Sequence, residues 1–157
     1  MTRDNLRLVV FTMETESTTY EYGFPIEQVH EITRPGNTVK LPGTLPFVEG
    51  ITNLRGEVIP IVDLKKRFGL GSTVAKDTTR VIVVNMGSKK CGVIVDDVLE
   101  IVPVPPESLE EAPAVAGGVG SRFIIGVGKV GERLIIALDA VKVLSEHEQD
   151  DPVAWGA

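Results

Sequence analysis

The amino-acid sequence predicts an all-β protein built from two small barrels of short strands. Val occurs 23 times and Ile 12 times among the 157 residues, and these β-branched side chains favour strands. The 16 glycines and 10 prolines indicate many turns between the strands. A weak internal repeat, described below, divides the chain into two similar units. A chain of this length has room for one domain or for two small ones.

In the first half of the chain, alternating apolar residues predict strands and polar residues predict the turns between them. Residues 6–13 and 20–24 are the first two predicted strands. The densest apolar run, residues 48–64, is interrupted at residues 55–57, which predicts a hairpin. A short helical turn is expected at residues 63–67, between an N-capping aspartate and a glycine.

The second half of the chain repeats this pattern after a polar connector at residues 69–79. Gly131 and Glu132 indicate another hairpin turn, and a second short helix is expected near residues 139–145. Residues 146–157 read as a flexible tail. The predicted strands of this half are residues 80–86, 91–95, 96–104, 122–130 and 133–140.

The internal repeat is carried by two pairs of matching segments. Residues 47–64 match residues 123–140 at an offset of 76, so that Phe47 aligns with Phe123 and Asp63 with Asp139. Residues 26–32 match residues 95–101 at an offset of 69. Two matches in the same order indicate a duplicated unit of about seventy residues. About five short strands per unit suit a small barrel of the SH3 or OB type.

Composition excludes several classes of protein. The formal net charge is −6 and the pI is near 5.0, which argues against a nucleic-acid partner. The single Cys91 excludes an internal disulfide framework and a cysteine-cluster zinc site. No apolar run approaches the ~18 residues of a membrane-spanning helix, so no direct membrane insertion is expected. No signal peptide is visible at the start, and the expected location is the cytoplasm.

The remaining chemical motifs favour structural roles. Residues 126–131 match GxGxxG, but a strand-like segment follows where a dinucleotide site needs a helix, so a hairpin is favoured. Asp96 and Asp97 are expected in a solvated turn, and Cys91 is expected to be a core thiol. These features predict neither a catalytic residue nor a metal site nor a cofactor.

Arg55 is the exception because it stands at a predicted corner between Leu54 and Gly56. One interpretation is an ion pair with Glu57 or another nearby carboxylate. The other is a recognition arginine on a protein interface. The residues alone leave both interpretations open.

The segment NLRGEVIPIVDL at residues 53–64 resembles the CheW family of bacterial chemotaxis coupling proteins. YGFPIEQVHEI upstream and VVNMGSKKCGVIVDDVLEIV downstream extend the resemblance from about residue 6 to about residue 145. It implies a single CheW-like domain over residues 1–157, made of two intertwined five-stranded SH3-like barrel subdomains with short helical turns. We expect the first subdomain at approximately residues 14–78 and the second at approximately residues 79–145, with the strand at residues 6–13 joining either.

The resemblance implies a non-enzymatic adaptor without a cofactor. Such proteins couple the cytoplasmic tips of methyl-accepting chemotaxis receptors to the histidine kinase CheA in membrane-associated arrays. The resemblance spans almost the whole sequence, which favours a free-standing adaptor over the regulatory domain of CheA or the related CheV. The alternatives are a family member in another chemosensory pathway or, less favoured, a small β-barrel enzyme or ligand-binding module.

Interface residues are transferred from the family by motif. The expected receptor-binding residues are Gly50, Arg55 and Ile101. The expected kinase-binding residues are Val29, Glu31 and Ile32. Gly50 has a structural alternative, since glycine accepts backbone angles that other residues avoid. Val29, Ile32 and Ile101 are also plausible core residues.

Overall fold

The structure is a computed structural model that describes residues 5–111 and 122–145. Strands dominate it, and two short helices and two 3₁₀ turns (Ile26–Gln28 and Pro106–Ser108) complete it, so the all-β prediction is confirmed. The strands are β1 (Leu6–Glu14), β2 (Thr19–Pro25), β3 (Val29–Thr33), β4 (Val48–Leu54), β5 (Glu57–Asp63), β6 (Arg80–Met86), β7 (Lys89–Val95), β8 (Asp97–Val104), β9 (Leu109–Glu110), β10 (Ile124–Val130) and β11 (Arg133–Leu138). The helices are α1 (Leu64–Arg67) and α2 (Ala140–Ser145), both where helical turns were predicted.

The strands form two separate sheets. One sheet has five strands in the order β3-β6-β7-β5-β4, and the other has six in the order β8-β1-β2-β11-β10-β9. Strand β9 is only two residues long, so each sheet has five principal strands. Antiparallel pairs predominate, and one parallel pair lies inside each sheet, β5 with β7 and β2 with β11.

The sheets do not follow the expected division into residues 14–78 and 79–145. The five-stranded sheet uses β3 to β7, whereas the six-stranded sheet combines β1 and β2 with β8 to β11. The parallel pairs are the reason, because they place the β6–β7 hairpin beside β5 and the β1–β2 hairpin beside β11. The strand predicted at residues 6–13 therefore joins the six-stranded sheet, and the predicted tail at residues 146–157 lies outside the described residues.

The sequence repeat at an offset of 76 reappears as repeated geometry. The backbone amide of Asp63 donates to the carbonyl of Phe47 at 2.8 Å, and that of Asp139 donates to the carbonyl of Phe123 at 2.8 Å. Each bond closes the base of a hairpin, β4–β5 in one sheet and β10–β11 in the other. The repeat is therefore structural and relates the two sheets.

The offset of 69 likewise relates β3 to β8. Ile32 lies opposite Ile82 in the five-stranded sheet, and Ile101 lies opposite Val9 in the six-stranded sheet. Both strand pairs carry a register shift at the corresponding point. Ile32 and Ile101 therefore occupy equivalent positions on the two sheets, although the family transfer gives them different partners.

The largest apolar cluster joins the two sheets. It combines Phe11 and Phe24 from the six-stranded sheet with Val62 and Ile82 from the five-stranded sheet. Two smaller clusters lie within single sheets, as expected for two small barrels packed against each other. Burial of apolar surface between the sheets is thus the main force that holds them together.

Arg67 in α1 lies among elements from both halves of the repeat. Its guanidinium carbon is 5.6 Å from the ring centre of Phe47 and 4.8 Å from that of Phe123. Its Nε donates to the carbonyl of Val143 in α2 at 3.2 Å. One buried arginine therefore contacts the repeated phenylalanine of each half of the chain.

Candidate functional site

The candidate site begins at the turn between β4 and β5. Arg55 and Gly56 have φ values of 54° and 87°, and positive φ at both central residues is typical of a type I′ hairpin turn. The side chain of Asn53 accepts a hydrogen bond from the amide of Gly56 at 2.9 Å. Leu54 pairs with Glu57, so the turn has only two free residues. The Arg55 side chain is 75% exposed there.

Arg55 forms an ion pair with Glu31 of β3. The Nη2 atom of Arg55 lies 3.0 Å from a Glu31 carboxylate oxygen, and Nε contacts both oxygens at 3.2 and 3.3 Å. The hydrogen bond from Arg55 lowers the pKa of Glu31, and the positive charge adds to this effect. The hydrogen bond to Glu31 in turn raises the pKa of Arg55. Both groups are therefore charged throughout the neutral pH range.

This ion pair settles the partner of Arg55 but leaves its recognition role open. The carboxylate is Glu31, whereas Glu57 pairs with Lys90 at 3.0 Å. Strands β3 and β4 are the two outer strands of the five-stranded sheet, so the pair links strands that are far apart in the sheet order. The sequence gives no direct signal of this pairing, because it depends on the curvature that brings those outer strands together.

The other transferred residues divide into exposed and buried positions. Ile32 on β3 and Ile101 on β8 are exposed. Val29 is partly buried and packs against the large apolar cluster. The structure thus brings Glu31, Ile32 and Arg55 to one sheet and places Ile101 on the other.

Gly50 is buried in β4, and its backbone has a φ of 144°. A Cβ atom at this position would lie 2.1 Å from the carbonyl oxygen of Val39 and 2.7 Å from its carbonyl carbon. The contact arises because Val39 forms an isolated β-bridge with Ile51 at the outer side of β4. The geometry requires glycine at residue 50 for structural reasons.

A cavity of about 190 Å³ lies next to the Arg55 turn, and no sequence pattern indicated it. Ile59, Ile61 and Val83 line it from within the five-stranded sheet, and Thr33 and Leu54 line it beside the ion-paired residues. Residues 34–36 and Thr38, which follow β3, also line it.

The structure also tests the other motifs. Asp96 was expected in a solvated turn, and this is wrong: it is buried and pairs with Lys65 at 3.0 Å. The prediction failed because a buried lysine distant in sequence supplies the compensating charge. Cys91 is buried as predicted, and burial raises the pKa of its thiol to about 12. Residues 126–131 lie in the β10–β11 hairpin, which confirms their structural role.

Comparisons with known proteins agree with this geometry. The family model described as CheW-like domain matches residues 7–148. A chemotaxis protein CheW of Klebsiella aerogenes is 34% identical over 140 residues, which cover 89% of this chain and 82% of that protein. One from Treponema pallidum is 32% identical over 149 residues, covering 92% and 85% of the two chains.

A solved structure gives independent support. The crystal structure of the scaffolding protein TtCheW from Thermoanaerobacter tengcongensis is similar to this fold with a TM-score of 0.79 and 36% sequence identity. The similarity covers 90% of this chain and 93% of that one. On the strength of the matched model, the relatives and the shared fold, the chain belongs to the CheW-like domain family.

Proposed function

We propose that this chain is a chemotaxis coupling adaptor that links the cytoplasmic tips of methyl-accepting receptors to the histidine kinase CheA. The observation that carries the proposal is the family match over residues 7–148, together with relatives that are named chemotaxis protein CheW. The related crystal structure is that of a scaffolding protein, which agrees with a non-enzymatic role. An adaptor of this kind acts through its surfaces and performs no chemical step.

The proposed surfaces meet at the Arg55–Glu31 ion pair. We assign Arg55 and Ile101 to receptor binding, and Glu31 and Ile32 to kinase binding. Because Arg55 and Glu31 are 3.0 Å apart, the two assigned interfaces adjoin each other on the five-stranded sheet. A partner that draws Arg55 away also changes the hydrogen bonding of Glu31. This connection offers a physical route by which one partner affects the other.

Gly50 and Val29 act on this surface indirectly, by positioning the strands β4 and β3. Gly50 allows the close approach of Val39 to β4, and Val29 packs β3 against the large apolar cluster. Their substitution would therefore alter binding by displacing the strands that carry Glu31 and Arg55. We retain the receptor assignment of Gly50 and the kinase assignment of Val29 in this indirect sense.

The proposed place of action is the cytoplasm, at membrane-associated receptor arrays. Recruitment would come from binding to the receptor tips. Within residues 5–111 and 122–145, no helix is long and apolar enough to cross a bilayer. A family member that serves another chemosensory pathway would also need to bind a receptor and a kinase.

The proposal is tested by a pull-down with the tagged chain, using a receptor signalling fragment and the regulatory domain of CheA. We expect each partner to be retained alone and both to be retained together. Lys129→Glu is the control variant, since Lys129 is exposed and pairs with Glu110 away from the five-stranded sheet. Retention of neither partner, or mutual exclusion of the two partners, would contradict a coupling role.

A further inference from the structure

Within residues 5–111 and 122–145, the chain crosses from one sheet to the other at two points, and both are fixed by side chains. The first crossing, from β2 to β3, runs through the 3₁₀ turn Ile26–Gln28. The second, from β7 to β8, is the single residue Asp96. These crossings are the only covalent connections between β1–β2, β3–β7 and β8, so their geometry affects how the two sheets are oriented.

Asp96 is held by groups from both sheets. Its carboxylate accepts a hydrogen bond from the amide of Glu14 at 2.7 Å, and its own amide donates to the carbonyl of Thr12 at 3.2 Å. Both of these partners belong to β1 in the six-stranded sheet. The same carboxylate oxygen lies 3.0 Å from the Nζ atom of Lys65 in α1, which directly follows β5 of the five-stranded sheet.

The ion pair is almost fully removed from water. The side chains of Lys65 and Asp96 are 8% and 1% exposed. Taking two charges out of water is costly, and apolar replacements of similar size are often neutral or stabilising. Overall stability is therefore a weak explanation for this pair. Its best-attested alternative use is to favour one geometry over others.

The equivalent crossing is fixed by hydrogen bonds of a neutral side chain, that of Gln28. The side-chain amide of Gln28 donates to Asp139 at 3.0 Å, and its carbonyl accepts from the amide of Ala140 at 2.8 Å. Asp139 precedes α2, the helix that corresponds to α1 in the repeat. Each crossing is thus bonded to a short helix that follows a hairpin, α1 for Asp96 and α2 for Gln28. Only the Asp96 crossing is held by a buried ion pair.

We infer that the Lys65–Asp96 ion pair is an orientation lock between the two sheets. The apolar cluster between the sheets is non-directional and tolerates small changes of angle. A buried ion pair has a narrow range of acceptable geometry, because separation leaves both charges without compensation. The lock therefore holds a single arrangement of surfaces that lie on different sheets. Its consequence for partners that contact both sheets rests on the proposed function.

The lock is tested by the distance distribution between two spin labels, measured without any partner. In a Cys91→Ala background, labels are attached after Val58→Cys and Leu134→Cys. These positions are 64% and 61% exposed and lie on the five-stranded and six-stranded sheets. The test variant is Lys65→Met with Asp96→Asn, since asparagine keeps an acceptor for the amide of Glu14.

We expect the test variant to show at least a twofold broader distance distribution than the parent. The matched control is Lys66→Met, one residue further along α1, which removes an ion pair with Glu49 of β4 and touches only the five-stranded side. This control should keep the parent width. An unchanged width in a folded test variant would overturn the lock. If both the test variant and Asp96→Asn alone unfold, the pair is a stability element and the inference is also overturned.

Discussion

Arg55 occupies a backbone conformation that most residues with a side chain avoid. Its φ of 54° lies in the left-handed region, which costs a non-glycine residue about 1–2 kcal/mol. Asparagine followed by glycine is the preferred pair for such a turn. An arginine at this position accepts a conformational penalty and presents a long cation to solvent. This combination agrees with the recognition role that we propose for Arg55.

Arg55→Asn should therefore preserve the fold and weaken receptor binding. The substitution relieves backbone strain and loses an exposed ion pair that solvent screens. We expect the free energy of unfolding to stay level or to rise slightly, because asparagine tolerates the left-handed region better than arginine does. Urea melts together with a receptor titration check this. A clear loss of stability would show that the ion pair with Glu31 is chiefly structural.

Gly50→Ala should destabilise the protein. The new Cβ atom would overlap the backbone of Val39, and the φ of 144° adds strain for alanine. We expect a loss of roughly 2–4 kcal/mol in the free energy of unfolding. Gly36→Ala is the control, because the nearest atom to its added Cβ is 3.8 Å away. Equal urea midpoints for the two variants would disprove the structural role of Gly50.

At the scale of the elements, hairpins are predictable from sequence and contacts between them are not. The turn residues of β4–β5 and β10–β11 are local signals, and both hairpins occur where they were expected. The Arg55–Glu31 pair instead joins the outer strands of one sheet. The buried state of Asp96 depends on Lys65, 31 positions earlier in the chain. Both contacts arise from sheet closure and crossing, which no local pattern encodes.

Val62→Ala tests which side chains of β5 face the apolar core. Val62 belongs to the large apolar cluster and lies opposite Val48 and Val93 in the sheet. Truncation removes buried surface and leaves a small cavity, so we expect a loss of roughly 1–3 kcal/mol in the free energy of unfolding. Val58→Ala, at an exposed position of the same strand, should change stability little. Equal losses in the free energy of unfolding at both positions would contradict this assignment of buried and exposed side chains in β5.

At the scale of the whole molecule, duplication explains why the sequence predicts two barrels but does not predict which strands belong to which sheet. The offsets of 76 and 69 reveal two similar units in the sequence. They do not reveal that the β6–β7 hairpin pairs with β5, or that the β1–β2 hairpin pairs with β11. Those parallel pairs connect segments of different units and make the sheets interdependent. The six-stranded sheet therefore contains both the first and the last strand of the described chain.

Arg67→Ala should disturb both sheets together. The substitution removes a buried guanidinium from between Phe47 and Phe123 and its hydrogen bond to Val143. We expect the free energy of unfolding to fall by roughly 2–4 kcal/mol. Hydrogen exchange should show faster opening in both sheets. Faster exchange confined to the five-stranded sheet would contradict a role at the junction of the two halves.

The central claim, that Arg55 is a recognition residue of an adaptor, is tested most directly by titrating Arg55→Glu against a receptor signalling fragment. An interface arginine can contribute about 2 kcal/mol or more to binding, so affinity should fall by about 30-fold or more. The decrease should exceed that of Arg55→Ala, because reversed charge adds repulsion. CheA binding should fall less, and the control Lys129→Glu should bind both partners as the parent does. If folded Arg55→Glu binds the receptor fragment with parental affinity, the claim is wrong.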